Sequence, residues 1–438
     1  MAQLVAGAAE NVISPPVGTA LAGYFTPRIS EGVIYDLKAK AVIAGDGKDA
    51  VGIIACDLIG LPATMVAAAR EAFEQATGIP GDRVLICGTH THTGPEVRKR
   101  GFIPDLIPTN DAYLQELPQL IAEAGIQAAA NRRPCELKLG RDHEEGLAYN
   151  RRFRMRDGSE QFGPGPDLDE LAGVAGPTDP ELGVLTFSEE GQDPFAVIVN
   201  YSLHIDVTSG NLISADYPAV ITETIRAAYG PDTIVLFVNG ACGNINHCPY
   251  LMERAWPLKG NAKSTQIGRA LGGKALNIAE KALPSVSQTV DVAGEILDVP
   301  HFDWPEVLAQ RLAEARSKET PNFFEETLLA WNEQFDPHGR RPVETQVLRL
   351  GDAVICSAPG ELFVEWGLEM KQWSPFPFTF IAELANDSVG YIPTYEAFRR
   401  GGYETTPVVS VKLTPALGQL VTDANFRSCQ KLWQRKGE

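Results

Sequence analysis

Two histidines separated by a single residue, His90 and His92, are the side chains in this sequence best suited to metal chemistry. They lie in the segment Thr-His-Thr-His-Thr-Gly-Pro at 89–95, directly after the apolar run 83–88. If the backbone is extended there, alternate side chains point to the same side, so both imidazoles would meet at the end of a strand. Because neutral imidazole is a common zinc ligand, the pair predicts a metal site. A polar loop with local hydrogen bonds is the alternative.

Three further polar segments follow apolar runs. His204 ends the run 198–203 and is a candidate third ligand, although a histidine at a strand end is commonly structural. The segment 239–247 contains small residues and asparagines such as Asn244, whose amides can donate to an oxyanion; an ordinary turn has the same composition. Glu361 could complete a His/Glu metal set, or could be an acid favoured by the dipole at a helix start.

Two tyrosines, Tyr391 and Tyr403, lie in the polar C-terminal part of the sequence. A tyrosine near a metal can act as a ligand, a hydrogen-bond donor or an acid. Taken alone, both tyrosines would be interpreted as structural aromatics.

The alternation of apolar strand-like runs with helical stretches predicts how these residues are positioned. It indicates an α/β fold with mixed sheets covered by helices. Because sites in such sheets gather at the carboxyl ends of strands, the polar segments are expected to meet there. The predicted strands are Ala50–Cys56, Arg83–Gly88, Pro194–Leu203 and Thr233–Val238. The predicted helices are Pro62–Thr77, Asp111–Asn131, Tyr217–Tyr229 and Lys263–Ala282.

The whole chain, 1–438, is expected to form a single domain with two departures from this pattern. The segment 284–350 begins with β-rich sequence and continues through helices, which suggests an inserted subdomain. The segment 156–182 is rich in Gly and Pro and is expected to be a long surface loop. Such a loop is either a lid over the site or a simple surface excursion.

The charge balance excludes some classes of partner. The chain has 56 acidic and 38 basic side chains, for a formal net charge of −18, which repels nucleic acid and anionic membranes. We find no apolar run long enough to span a bilayer and no signal peptide. The seven cysteines form no CxxC pair, which favours reduced thiols and a cytoplasmic location. The expected partner is a small-molecule substrate, and the chain could be a homo-oligomer.

In combination, these segments resemble the catalytic domain of the neutral, non-lysosomal ceramidases. The motifs follow the order of that family along most of the chain: 89–95, Asn150-Arg151, the block that begins at His204, Pro359-Gly360-Glu361, and the pair Tyr391 and Tyr403. Several dispersed motifs in the right order are far more specific than any one of them.

The resemblance implies a zinc ion held by His90, His204, Glu361 and Tyr391. It also implies that three side chains surround the reacting group: His92, Arg151 and Tyr403. Zinc in such a site activates a water and polarises a carbonyl. His92 would move the proton as general base or acid. The developing oxyanion would be stabilised by Arg151, Tyr403 and Asn244.

One motif departs from the family. Ceramidases have Gly-Asp-Val-Ser-Pro-Asn where this chain has residues 241–246, so that Asn244 occupies the position of the serine. Hydrolysis by zinc and water does not require that serine, but ceramide as substrate does not follow. The sequence also stops before the C-terminal immunoglobulin-like domain of the family. Both departures predict a small, polar, water-soluble substrate.

The predicted function is therefore zinc-dependent hydrolysis, first of an amide and next of an ester or lactone. A metal-assisted glycosidase is the alternative, and it would require carboxylates such as Asp206 or Asp216 on either side of the pocket. A non-catalytic ligand-binding relative is the third possibility, because the family serine is missing. Metal content separates the third class from the other two, and product analysis separates an amidase from a glycosidase.

Overall fold

Three β-sheets of four or five strands form the frame of the protein, seen in a computed structural model that describes residues 3–98, 108–165, 167–252 and 258–435. The α-helices are α1 (Ala63–Thr77), α2 (Asp111–Ala130), α3 (Tyr217–Tyr229), α4 (Asn261–Ala279), α5 (Pro305–Ser317), α6 (Phe323–Asn332), α7 (Val364–Trp373), α8 (Tyr395–Arg400) and α9 (Leu417–Gln434). Short 3₁₀ helices cover Gly81–Arg83, Leu168–Glu170 and Tyr403–Thr405. Within the described ranges, no helix combines the length and apolar character that crossing a bilayer requires.

The strands are β1 (Val5–Val12), β2 (Ala20–Leu21), β3 (Arg28–Ile29), β4 (Gly32–Val33), β5 (Lys38–Gly45), β6 (Ala50–Cys56), β7 (Val84–Gly88), β8 (Arg133–Pro134), β9 (Glu136–His143), β10 (Tyr149–Asn150), β11 (Arg152–Met155), β12 (Glu160–Phe162), β13 (Leu171–Val174), β14 (Glu181–Ser188), β15 (Pro194–Tyr201), β16 (Leu212–Ile213), β17 (Ile234–Asn239), β18 (Ile245–Asn246), β19 (Leu283–Pro284), β20 (Val290–Pro300), β21 (Arg340–Leu350), β22 (Ala353–Ser357), β23 (Glu361–Leu362), β24 (Phe378–Ala382) and β25 (Tyr391–Ile392).

Each large sheet is mixed, as the sequence predicts. The strand orders are β7-β6-β5-β1-β8 in the first sheet, β17-β15-β14-β9-β19 in the second and β20-β21-β22-β24 in the third. Each sheet has one parallel pair: β6 with β7, β15 with β17, and β22 with β24. The loops that follow these parallel strands carry the polar segments singled out above. The α/β fold of mixed sheets covered by helices is therefore confirmed.

The alternation of side chains along the strands explains how the sheets pack. Ile53, Ile198 and Ile355, one from each large sheet, face a shared central core. Ile54, the neighbour of Ile53, points to the opposite face and packs against α1 and α2. Helices α3 and α4 cover the outer face of the second sheet, and α7 and α9 cover the third. Strands that are buried on both faces, such as β6 and β22, are therefore almost continuously apolar.

Two segments singled out in the sequence have defined secondary structure, and the interpretation of 284–350 as an inserted subdomain stays a prediction. Between 284 and 350, β20 and β21 pair along all 11 residues of each strand, as part of the third sheet, and α5 and α6 form a helical hairpin between them. Residues 156–182 are not a plain loop, because β12 and β13 pair with β11 in a small sheet of their own. Local alternation in these short strands is too brief to be recognised in the sequence. The single-domain description stays a prediction.

Candidate metal centre

Three histidine nitrogens converge at the carboxyl ends of the parallel strands. The Nε2 atom of His90 lies 3.0 Å from Nε2 of His204 and 3.3 Å from Nε2 of His92, and the last two atoms are 3.1 Å apart. Ligands at ~2.05 Å from a tetrahedral zinc lie ~3.3 Å from one another. This buried group could therefore hold a metal ion.

His90 owes its position to a turn rather than to a strand. Strand β7 ends at Gly88, and His90 has a φ of 83°, in the left-handed region that non-glycine residues rarely adopt. Its backbone N–H donates to the carbonyl oxygen of Leu58 at 2.9 Å, and its Nδ1 donates to that of Ile59 at 2.8 Å. Because the second bond requires the proton on Nδ1, the lone pair of the neutral imidazole is on Nε2. The expectation that an extended backbone brings His90 and His92 together is thus wrong, although the two imidazoles do meet.

His204 follows the end of β15 and lies against the loop after β17. Its Nδ1 is 3.4 Å from both the carbonyl oxygen of Cys242 and Nη1 of Arg151, and its Nε2 faces the cluster. Burial, together with His90 and Arg151 nearby, lowers the pKa of His204 well below the ordinary value. Behind it, the thiol of Cys242 donates to the buried carboxylate of Glu383 at 2.8 Å. Burial raises the pKa of Glu383 to about 7.

His92 is held differently from the other two histidines. Its backbone N–H donates to the carbonyl oxygen of Ile205 at 3.1 Å, which ties the loop of His92 to the loop of His204. Its Nδ1 is buried and has no hydrogen-bond partner among the described residues. Burial lowers the pKa of His92 to about 3. The imidazole is therefore neutral at pH 7.

Glu361 and Tyr391 lie side by side because β23 and β25 pair in parallel with these two residues in register. The Oε2 atom of Glu361 is buried 3.5 Å from Nε2 of His90, and no described residue forms a hydrogen bond with it. Burial would raise the pKa of Glu361, but His90 outweighs it, and the pKa falls to about 2. Because α7 begins only at Val364, Glu361 is not the helix-start acid of the alternative interpretation. A buried carboxylate oxygen beside three converging imidazole nitrogens suits a divalent cation.

Arg151 and Tyr403 meet on the other side of Tyr391. The Nη2 of Arg151 donates to the hydroxyls of Tyr403 at 2.7 Å and Tyr391 at 3.0 Å. The two hydroxyls are 2.7 Å apart. Burial would lower the pKa of Arg151, but the surrounding oxygens outweigh it and raise the pKa. The guanidinium therefore stays charged and holds two O–H groups at one point of the site.

Glu404, on which this arrangement depends, is a residue that the sequence analysis did not identify. Glu404 is fully buried, and its carboxylate accepts from Nε of Arg151 at 3.1 Å and from Nη1 of Arg152 at 2.6 Å. A glutamate in a polar segment is most often solvated, so its type alone does not predict burial. Its position directly after Tyr403 is the one feature that could have drawn attention to it.

Asn244 is not brought together with the other predicted site residues. Its Oδ1 accepts from the backbone N–H of Val364 at 2.8 Å, and its Nδ2 donates to Glu365 at 2.9 Å. Both ends of the amide thus bind the first turn of α7. The backbone carbonyl of Asn244 accepts from the N–H of Arg151 at 2.9 Å, so Asn244 also supports the segment that carries this arginine.

Two solved structures match almost the whole chain. The crystal structure of neutral ceramidase from Pseudomonas aeruginosa matches with a TM-score of 0.78 at 16% identity, over 99% of this chain and 75% of that chain. A ceramidase described as complexed with C2 matches with a TM-score of 0.78 at 15% identity, over 99% and 76% of the two chains. The chain has the neutral ceramidase fold. Its sequence matches no family model and no curated protein.

Within the neutral ceramidase fold of this chain, a cavity of about 630 Å³ opens onto the histidine cluster. At its polar end it is lined by His90, His92, Glu361, Tyr391 and Tyr403. Its apolar wall includes Phe25, Met65, Leu114, Phe323 and Phe324. Asn244 is not among the described residues that line it, and neither is any described residue of 156–182. A cavity of this size accommodates a small molecule.

Proposed function

We propose that this chain is a zinc-dependent hydrolase that cleaves an amide bond in a small molecule, with esters and lactones as the next class. The observation that carries the proposal is the convergence of three imidazole nitrogens beside the Oε2 of Glu361, which has no hydrogen-bond partner among the described residues. Nitrogen and carboxylate donors at such spacing are typical of zinc. Both similar structures are ceramidases, which supports an amide as the bond that is cleaved.

The partners of the Nδ1 atoms suggest how roles are divided among the histidines. His90 and His204 each direct Nδ1 to a backbone carbonyl, which preorganises Nε2 as a ligand. Together with Glu361 and Tyr391 they form the proposed zinc ligands. His92 lines the cavity and lacks such a carbonyl partner, so it is the proposed general base and acid. Bound zinc would lower the pKa of a water molecule and polarise the substrate carbonyl.

Arg151 and Tyr403 are the proposed groups that hold the developing oxyanion. The guanidinium orients both tyrosine hydroxyls, so the O–H of Tyr403 is fixed before substrate arrives. Donors fixed in this way stabilise charge without reorganisation during the reaction. Because Arg151 and Glu404 are buried, the ion pair that holds the guanidinium is stronger than it would be in solvent.

The apolar wall of the cavity indicates which class of substrate the site can bind. The sequence predicts a small, polar, water-soluble substrate, which does not account for the aromatic side chains of Phe25, Phe323 and Phe324. These rings contact one another, with the centroid of Phe25 at 5.1 Å from that of Phe323 and 4.7 Å from that of Phe324. We therefore propose an amide with an apolar or aryl group on one side of the scissile bond. The cytoplasmic location and the oligomeric state stay predictions.

The glycosidase alternative finds no support in its two candidate carboxylates. Asp216 is buried at the start of α3, where it accepts hydrogen bonds from the backbone N–H groups of Val207, Thr208 and Tyr217. Asp206 binds Lys259 and Tyr24 instead of facing the cavity as an unpaired acid. A glycosidase needs one carboxylate on each side of the scissile bond, and these two carboxylates are not placed as such a pair.

Metal removal tests the proposed function directly. Mass spectrometry of the purified protein is expected to find about one zinc per chain, and dialysis against a chelator should abolish hydrolysis of an aryl-amide panel. Adding zinc back should restore it. A parallel glycoside panel should give no product. Folded protein without stoichiometric metal would contradict the proposal and favour the non-catalytic binding relative.

Replacing Asn244 with alanine separates an oxyanion role from a structural one. Because both ends of its amide bind α7, Asn244→Ala is expected to lower the free energy of unfolding by ~1–3 kcal/mol. Zinc content and kcat should stay essentially unchanged. Chemical denaturation and steady-state kinetics measure the two effects. A loss of kcat of ~10²–10³-fold in folded protein would instead support the oxyanion role predicted from the sequence.

A further inference from the structure

The unpartnered Nδ1 of His92 raises the question of what fixes its tautomer. Neutral imidazole carries its proton on either nitrogen, and only the Nδ1–H form presents a lone pair on Nε2. The carbonyl oxygen of Ile59, 2.8 Å from Nδ1, fixes this form for His90, whereas Nδ1 of His204 lies 3.4 Å from both the carbonyl oxygen of Cys242 and Nη1 of Arg151. A buried Nδ1 without a partner leaves both forms of His92 accessible, so a general base at this position needs a further acceptor.

Asp206 is the carboxylate that faces this nitrogen. Its Oδ1 is 3.9 Å from Nδ1 of His92. Two donors already hold the carboxylate: Nζ of Lys259 lies 2.6 Å from Oδ2, and the hydroxyl of Tyr24 donates to Oδ1. Nζ of Lys259 also lies 3.0 Å from the hydroxyl of Tyr24, so the three groups form one network. A carboxylate has about four acceptor sites, so Oδ1 can accept a further hydrogen bond.

The loop that carries Tyr24 is built around the imidazole of His92. Gly23 has a φ of 96°, and a Cβ at that position would lie 2.6 Å from Cγ of His92, so only glycine fits. The ring of Tyr24 meets that of His92 edge-on at 5.8 Å. Arg28 lies over the Tyr24 ring at 4.1 Å and donates to the carbonyl oxygen of His92 at 2.5 Å. A movement of ~1 Å would bring Nδ1 within hydrogen-bond distance of Asp206.

We propose that Asp206 is a positioning residue for His92, and that Tyr24 and Lys259 hold Asp206 in place for it. This inference rests on the proposed hydrolase function. Nε2 of His92 takes a proton from water as the new C–O bond forms and gives it to the amine nitrogen as the C–N bond breaks. The Nδ1–H proton stays on His92 throughout and is bound by Asp206. Asp206 therefore acts through the tautomer of His92 and does not itself exchange a proton.

The test compares wild type with Asp206→Asn, and uses Asp179→Asn as a matched control. Asp179 also pairs with a lysine, at 2.7 Å from Nζ of Lys371, but does not contact the histidines. Nitrogen NMR of protein labelled with ¹⁵N in its seven histidines reports each tautomer, and His92→Gln assigns the His92 signal. Steady-state kinetics gives kcat and KM, and mass spectrometry gives zinc content.

We expect His92 to carry its proton on Nδ1 in wild type and in Asp179→Asn. In Asp206→Asn the tautomer should change, and kcat should fall by ~10²–10⁴-fold with KM and zinc content nearly unchanged. An unchanged tautomer and kcat in folded Asp206→Asn would overturn the inference. If Asp206→Asn does not fold, the tautomer of His92 in wild type and in Tyr24→Phe decides instead. An Nε2–H tautomer in wild type overturns the inference. An Nδ1–H tautomer in wild type that is lost in Tyr24→Phe supports the inference. If wild type hydrolyses nothing but the tautomer depends on Asp206, the proposed function fails and the positioning contact stands.

Discussion

Replacing His204 with alanine is expected to remove the metal and the hydrolytic activity together. His204 contributes one of the three converging nitrogens, and its Nε2 lies within 3.1 Å of the other two. Loss of a group that only supports a ligand costs ~10–100-fold in metal affinity or activity, so loss of a ligand should cost more than ~10³-fold. Zinc content by mass spectrometry should fall from about one per chain to near zero, and hydrolysis should fall below detection.

The control for His204→Ala is His301→Ala, which removes a histidine outside the cluster. Nδ1 of His301 donates to the carbonyl oxygen of Asp336, beyond the end of α6. That variant should keep its zinc and its kcat. Thermal melting of the zinc-free proteins checks that His204→Ala still folds, because the deletion leaves a small polar void. Stoichiometric zinc in folded His204→Ala would remove His204 from the ligand set.

The sequence pointed to the side chains that meet at the candidate metal centre, but it did not reveal how the chain brings them together. His90, His204 and Glu361 follow buried strands, and the carboxyl ends of parallel strands meet at one edge of a sheet. Three separate sheets contribute such ends here, and periodicity does not reveal how sheets pack against one another. The positive φ of His90 could not be predicted either, because few non-glycine residues of any type adopt that region.

The supporting groups could not be predicted, because they depend on contacts between distant segments. Asp206 and Tyr24 are 182 positions apart in the sequence, and Glu404 and Arg151 are 253 apart. Neither pair has a local signature. Asn244 illustrates the opposite error: its small polar segment suits an oxyanion donor, but the start of α7 uses both ends of its amide. Side-chain amides satisfy backbone groups far more often than they take part in catalysis.

The second large effect is expected for Arg151→Met, when it is compared with Arg152→Met. The two neighbouring arginines share the buried carboxylate of Glu404, but only Arg151 reaches the hydroxyls of Tyr391 and Tyr403. Removing one partner of a buried ion pair costs ~3–5 kcal/mol. In both variants the loss of unfolding free energy should lie near the lower end of that range, because one arginine stays bound to Glu404. Chemical denaturation measures this loss.

The two variants should differ in kcat although they lose a similar free energy of unfolding. In Arg151→Met, the donors of the oxyanion site lose their orientation, so kcat per folded molecule should fall by ~10²–10³-fold while zinc content is retained. In Arg152→Met the hydroxyls keep the guanidinium of Arg151, and kcat per folded molecule should stay near that of wild type. An equal loss of kcat in both variants would mean that Arg151 acts only by neutralising Glu404. The oxyanion role would then belong to the tyrosine hydroxyls alone, because they are the remaining donors at this point of the cavity.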